Sequence, residues 1–160
     1  MDREHHYEAH VVWSGAAQGP TTAYRAYARD YTVAAAGKPT LQLTADPAFL
    51  GRKDLYNPEE LLLASLSGCH LLTYLALAAL AGLHVVGYED QATGRMVQAG
   101  SGGHFAEVTL RPKVTIAAGH DLTLAKELHE KAHRDCFIAA SMNFPVRHEP
   151  EVRHAAAQAG

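Results

Sequence analysis

The stretch from Leu61 to Leu83 is mostly Leu and Ala and contains no Asp, Glu, Lys or Arg. No other feature limits the fold of this chain as strongly. About 20 apolar residues can span a bilayer, so length alone admits a membrane helix. Two observations argue against one. Ser65, Ser67, Cys69, His70 and Thr73 interrupt its first half, and no basic cluster flanks it. A helix that is apolar all round belongs in lipid or in the middle of a protein. The expectation is therefore a central helix covered on every side, with a second subunit as a candidate for part of the cover, and no membrane.

The rest of the chain must supply the remaining cover. A chain of 160 residues can bury roughly two thirds of its surface, enough for one core. One domain is expected over residues 1–153, with a mobile Ala-rich tail at 154–160. Apolar residues at 48 % and charged residues at 19 % exclude a disordered chain. Lys and Arg number 14 against 17 Asp and Glu, so no nucleic-acid footprint is expected. Two cysteines do not make a disulfide framework. The first residues lack the apolar run of a signal peptide, which suggests a reducing, cytoplasmic setting.

Residues 5–14, 24–29 and 40–44 read as strands, separated by turn material at 15–20 and 34–39. Residues 46–56 read as a loop. Asn57, Pro58, Glu59 and Glu60 then mark a helix start, with a cap, a first-turn proline and two carboxylates at the positive end of the dipole. The helix should run to about Ala81 and stop at Gly82. Residues 84–97 and 104–116 read as two strands joined by a Gly-rich turn at 100–103. A second helix is expected from Leu122 to Arg134, and a last short strand at 145–149. That order describes an α+β fold with largely antiparallel sheets.

Cys69 and Cys136 can each be a buried packing thiol. Together they also suit a two-thiol peroxide chemistry, in which one thiolate becomes a sulfenic acid and the other condenses with it. Such a thiolate needs a cation or a helix N-terminus nearby. Arg25, Arg29 and Arg52 are candidate cations, and Glu59 or Glu60 could hold a guanidinium in place. His129, His133 and Cys136 fall at i, i+4 and i+7 and could ligate zinc, though only three ligands are local. His5, His6 and His10 read as surface histidines. No cofactor or metal site is otherwise visible.

The run Asn57-Pro58-Glu59-Glu60-Leu61-Leu62, followed by Ser67-Gly68-Cys69, resembles the OsmC/Ohr family of organic hydroperoxide reductases. The family places a reactive Cys ten residues after the first Glu of Asn-Pro-Glu and a second Cys in its C-terminal segment, where Cys136 lies. Two departures are visible: Phe137 follows Cys136 in place of the usual Pro, and His70 follows Cys69 in place of Phe. The resemblance implies an intertwined homodimer with antiparallel sheets around long central helices. It implies a thiol peroxidase in which Cys69 is the nucleophile, Cys136 the resolving thiol, Arg25 the stabilising cation and Glu59 its orienting carboxylate. Reducing equivalents would come from an external dithiol, from lipoylated proteins or from small thiols. The competing expectation is a non-enzymatic dimer that binds an apolar small molecule or a partner in the same pocket.

Overall fold

Asn57 starts the longest helix among the described residues. In the computed structural model, which describes residues 3–156, Glu60 N–H donates to Asn57 Oδ1 at 2.8 Å and Asn57 N–H donates to Glu60 Oε2 at 3.1 Å. This reciprocal capping box satisfies donors that a helix start leaves free. Helix α1 follows at Pro58–Leu80 and runs unbroken through Gly68. Gly82, at φ +70°, turns the chain out of it, a conformation that only glycine adopts cheaply.

The structure comprises two compact units, Met1–Leu62 and Leu63–Gly160. The first unit holds a three-stranded antiparallel sheet in the order β1 (His10–Val12), β2 (Tyr31–Ala34), β3 (Leu41–Leu43). His10 faces Ala34 and Tyr31 faces Leu43. Residues 24–29, expected as a strand, form turns and bends. The cause is Arg29, whose guanidinium donates to the carbonyls of both Tyr24 and Tyr27 and curls the chain back on itself. The strand forms instead at 31–34, where Thr32 and Val33 favour extension.

The second unit holds two more three-stranded sheets and the C-terminal helices. One sheet has the order β4 (Val85–Asp90), β7 (Pro112–Ile116), β9 (Glu151–His154). The other has the order β5 (Thr93–Ala99), β6 (Gly102–Leu110), β8 (Val146–His148). The two long strands expected at 84–97 and 104–116 are each split. Breaks fall at 91–92 and at Arg111, so one ribbon feeds both sheets. The β6–β8 and β7–β9 pairings are parallel; the others are antiparallel. Helix α2 (Leu122–Asp135) is capped by Asp121, which accepts from Thr123 N–H at 2.7 Å. A short helix, α3 (Phe137–Ala140), follows.

Tyr74, Ala78, Leu83, Val114, Ile116, Ala125, Leu128 and Ala132 form the core of this unit. Within α1 only Leu66, His70, Tyr74 and Ala78 are buried, one residue per turn. Leu72 and Leu80 keep 68 % and 86 % of their surface exposed. The helix expected to be covered on every side is thus covered by its own chain along one stripe. One layer can meet only one face of a helix, and the others need further layers. The helix is also long and apolar enough to cross a membrane by length and composition. The tail expected from His154 begins in β9, and Ala155 N–H donates to Ile116 O at 2.8 Å. Residues 157–160 lie outside the described residues.

Candidate functional site: a thiol pair and its surroundings

Cys69 stands at mid-length on α1, and Cys136 caps both the end of α2 and the start of α3. The fold brings them close enough for Cys69 to act on the Cys136 thiol. Both are free; Cys69 is partly exposed, whereas Cys136 is buried. Burial, and then the nearness of Cys69, push the Cys136 thiol up to about 11. Cys136 is therefore a protonated thiol at neutral pH. Its sulfur also accepts from Ala139 N–H at 3.5 Å, which fixes its direction.

Two residues before Cys69, the Ser67 hydroxyl donates to Asp90 Oδ2 at 2.5 Å. Asp90 Oδ1 accepts from Arg111 N–H at 2.6 Å, so one carboxylate ties α1 to the break between β6 and β7. Of the Leu side chains that flank Cys69 along α1, Leu66 is buried, Leu71 half-buried and Leu72 exposed.

The candidate cations all belong to the first unit. Arg25 is exposed and has no hydrogen-bond or ion-pair partner among the described residues. Arg52 is engaged by Asp54 at 2.5 Å and by Asp30 at 3.5 Å, and both carboxylates hold its charge. Arg29 is half-buried and lies over the rings of Tyr27 and Tyr24, at 4.1 and 5.1 Å. It lines a cavity of about 360 Å³ together with Trp13, Tyr27, Tyr31, Thr44 and Pro58. Trp13 is anchored by its Nε1–H, which donates to Ala28 O at 2.7 Å. Gly15 makes that approach feasible, because a Cβ there would sit 2.4 Å from the Ala28 carbonyl oxygen.

Glu59, in the first turn of α1, has its Oε2 buried with no hydrogen-bond partner among the described residues. Its charge reaches Tyr31, whose hydroxyl is pushed above its ordinary value by burial and then by Glu59. Tyr31 and Arg29 line the same cavity, so the Glu59 carboxylate and the Arg29 guanidinium belong to one neighbourhood of this unit.

The residues considered for zinc are arranged otherwise. His129 Nδ1 sits 3.0 Å from His70 Nε2, and its ring stacks on Tyr74 with centroids 4.0 Å apart. Among the described residues no group of three His, Cys, Asp or Glu is arranged to hold a metal ion. His5, His6 and His10 are exposed, and His6 is 3.7 Å from Glu4. The roles of His70, His148 and Asp90 were not expected from the sequence. One signal for the histidines was available: Ala125, Leu128, His129 and Ala132 share the buried stripe of α2, so His129 falls among core residues.

The family model for OsmC-like protein matches residues 51–151. An OsmC-like protein of unknown function from Vibrio cholerae O1 biovar eltor is 29 % identical, with a TM-score of 0.84, over 92 % of this chain and 99 % of that one. An OsmC-like protein from Mycoplasma pneumoniae is 16 % identical, with a TM-score of 0.74, over 96 % of this chain and 100 % of that one. An organic hydroperoxide resistance protein from Elizabethkingia anophelis is 19 % identical, with a TM-score of 0.68, over 96 % and 100 %. The last two likenesses concern the fold alone. No curated protein sequence matches the chain. The family match spans the α1 cap, the Cys69 helix and the Cys136 turn, and the chain belongs to the OsmC-like protein family.

Proposed function

We propose that the protein is a thiol-dependent peroxidase that reduces organic hydroperoxides. The observation that carries this reading is the pair of free cysteines that the fold brings close, one partly exposed and the other buried. The Cys69 thiolate attacks the outer peroxide oxygen and the O–O bond breaks. Cys69 becomes a sulfenic acid, and the alkoxide leaves and takes a proton as the alcohol. The Cys136 thiol then condenses with the sulfenic acid, giving the Cys69–Cys136 disulfide and water. An external dithiol restores both thiols and is itself oxidised to a disulfide. Lipoyl groups or small thiols have the required chemistry.

The cation in this reading comes from the first unit. Arg29 is preferred to Arg25, because Arg29 is half-buried between two aromatic faces and Arg25 has nothing to hold it. A fixed guanidinium stabilises a thiolate at less entropic cost than a mobile one. Glu59 and Cys69 of one α1 are ten residues apart on an unbroken helix, which corresponds to a rise of about 15 Å. We therefore assign Glu59 to the Cys69 of a second copy, in a homodimer that also covers the exposed faces of α1.

Consumption of cumene hydroperoxide against hydrogen peroxide, with a dithiol present, tests the reading. The alkyl peroxide should be preferred, by up to roughly a hundredfold in kcat/KM if about four methylenes are buried at about 0.8 kcal/mol each. A ratio at or below one counts against it. The cavity of Trp13, Tyr27 and Tyr31 supports a second reading, a non-enzymatic binder of an apolar molecule. Absence of turnover with both peroxides, together with saturable binding of an apolar ligand, would favour that one.

A further inference from the structure

We propose that His70, His129, His133 and His148 form an acid-operated clasp. Neutral, His70 and His129 at the centre of this cluster hold α2 and the Cys136 turn against α1; protonated, they release them. The cluster joins three elements. His70 is on α1 beside Cys69, His129 and His133 are on the last two turns of α2 before Cys136, and His148 ends β8. His70 and His148 rings are 5.7 Å apart, and His133 and His148 rings 4.8 Å apart. His70 and His129 share the 3.0 Å nitrogen contact.

A neutral imidazole carries one N–H and one acceptor nitrogen. The His70–His129 contact uses one of each. The opposite nitrogens, His70 Nδ1 and His129 Nε2, are buried without hydrogen-bond partners among the described residues, as are His133 Nδ1 and His148 Nδ1. A second proton on His70 or His129 would thus place a charge in the interior with no acceptor to receive it. It would also lie close to other imidazoles that carry or could take the same charge.

The surrounding groups do little to offset this. From α1, Tyr74 stacks on His129, but its hydroxyl donates to Ala125 O at 3.1 Å. From β4, Tyr88 lies against Tyr74, with ring centroids 6.0 Å apart. From α2, the Glu130 carboxylate is 3.6 Å from His148 Nε2 but is exposed to water. Arg134 lines an opening with His133 and adds positive charge. Beyond β8, Glu149 is taken by Arg111 at 3.0 Å. Burial first, and the neighbouring histidines next, accordingly hold His70 down to about 4 and His129 down to about 3. His148 is lowered as well, with Glu130 acting against the shift.

The sign follows from linkage. A released histidine titrates near its ordinary value of about 6.5, whereas His70 and His129 in the clasp stay neutral well below it. Between those values the released state binds more protons, so acid favours release. Each histidine held neutral adds about one proton, or about a tenfold change in the release equilibrium per pH unit, and two give about a hundredfold.

The inference does not depend on the peroxidase reading, because its test reads thiol access and not turnover. In a full-length Cys69→Ser chain, Cys136 is the only thiol. Its rate of reaction with 4,4′-dithiodipyridine is divided into the rate for the same chain in denaturant at the same pH, giving a protection factor free of thiol ionisation. Protection should be high near neutral pH and fall by well over tenfold between about pH 6 and pH 5. His70→Asn and His129→Gln should each flatten that fall by about tenfold per pH unit. Protection constant across the range, or an unchanged fall in both variants, overturns the clasp. Should the variants not fold, ring-proton NMR of the unaltered chain decides. Rings of His70 and His129 that stay neutral at about pH 5 in the intact fold are expected, and titration near pH 6.5 in the intact fold overturns the proposal.

Discussion

Asp90 accepts the Ser67 hydroxyl on one oxygen and the Arg111 backbone N–H on the other, at 2.5 and 2.6 Å. A single β4 carboxylate thereby fixes the part of α1 that carries Cys69 and the kink at which the long ribbon changes sheets. Its removal leaves two half-buried donors unpaired. Asp90→Ala should cost about 2–4 kcal/mol in urea unfolding, and Asp90→Asn less, since the amide keeps one acceptor. Equal stability of Asp90→Ala and the parent chain would show that water replaces both bonds.

Cys69→Ser should abolish peroxide consumption. Cys136→Ser should allow one turnover and then stall, with Cys69 held as sulfenic or over-oxidised acid. Mass spectrometry of the stalled protein should find the added oxygen on Cys69. Full steady turnover in both single variants would remove the two-thiol mechanism.

The Cys136 thiol is raised to about 11 in the fold, against about 8.5 for an ordinary cysteine. The folded state therefore binds the proton more tightly than the unfolded chain. The stability this contributes is whole below about pH 8.5 and is lost as pH rises toward 11. The urea midpoint should decline across that window. Cys136→Val should remove about one proton from the slope, seen best below about pH 10, before Tyr74 begins to contribute. An unchanged slope would mean that the thiol is not held neutral by the fold.

Light scattering should find a dimer, and Leu72→Glu should dissociate it, because Leu72 projects from α1 with 68 % of its surface exposed. In verified heterodimers of a Cys69→Ser chain and a Glu59→Ala chain, one subunit's intact Cys69 meets the other's intact Glu59, and peroxidase activity should reappear. Recovery absent from such heterodimers would return Glu59 to its own chain.

Asn57→Ala removes the acceptor of the Glu60 N–H and the donor to Asp46. It should cost about 1–2 kcal/mol. Asn57→Asp should retain most of the cap but lose the contact to Asp46, which becomes like-charged. Thermal unfolding of the two variants separates these contributions.

The legible parts of this protein were those decided by neighbours along the chain. Asn57 and Glu60 are three residues apart, and the capping box between them forms as their spacing implies. Gly82 stops α1 because a left-handed residue is needed there and only glycine supplies it without strain. The strand expected at 24–29 failed because its alternation is answered by Arg29, a side chain that takes the carbonyls the strand would have needed.

What the sequence by itself determined was the two long helices, the uncharged stretch of the first of them and the Cys spacing that marks the family. What only the tertiary structure decided was which residues meet. Cys69 reaches Cys136, His70 reaches His129, and Ser67 reaches Asp90, each across long stretches of chain. Local patterning records which face of an element is apolar, and α1 is apolar on all faces, so its pattern could not say which stripe would be buried. That choice fell to the sheets and to α2, and it put a histidine and a tyrosine, not the most apolar residues, on the covered side. A buried imidazole is tolerated there because another imidazole offers it a hydrogen bond, a condition that exists only once the chain has folded.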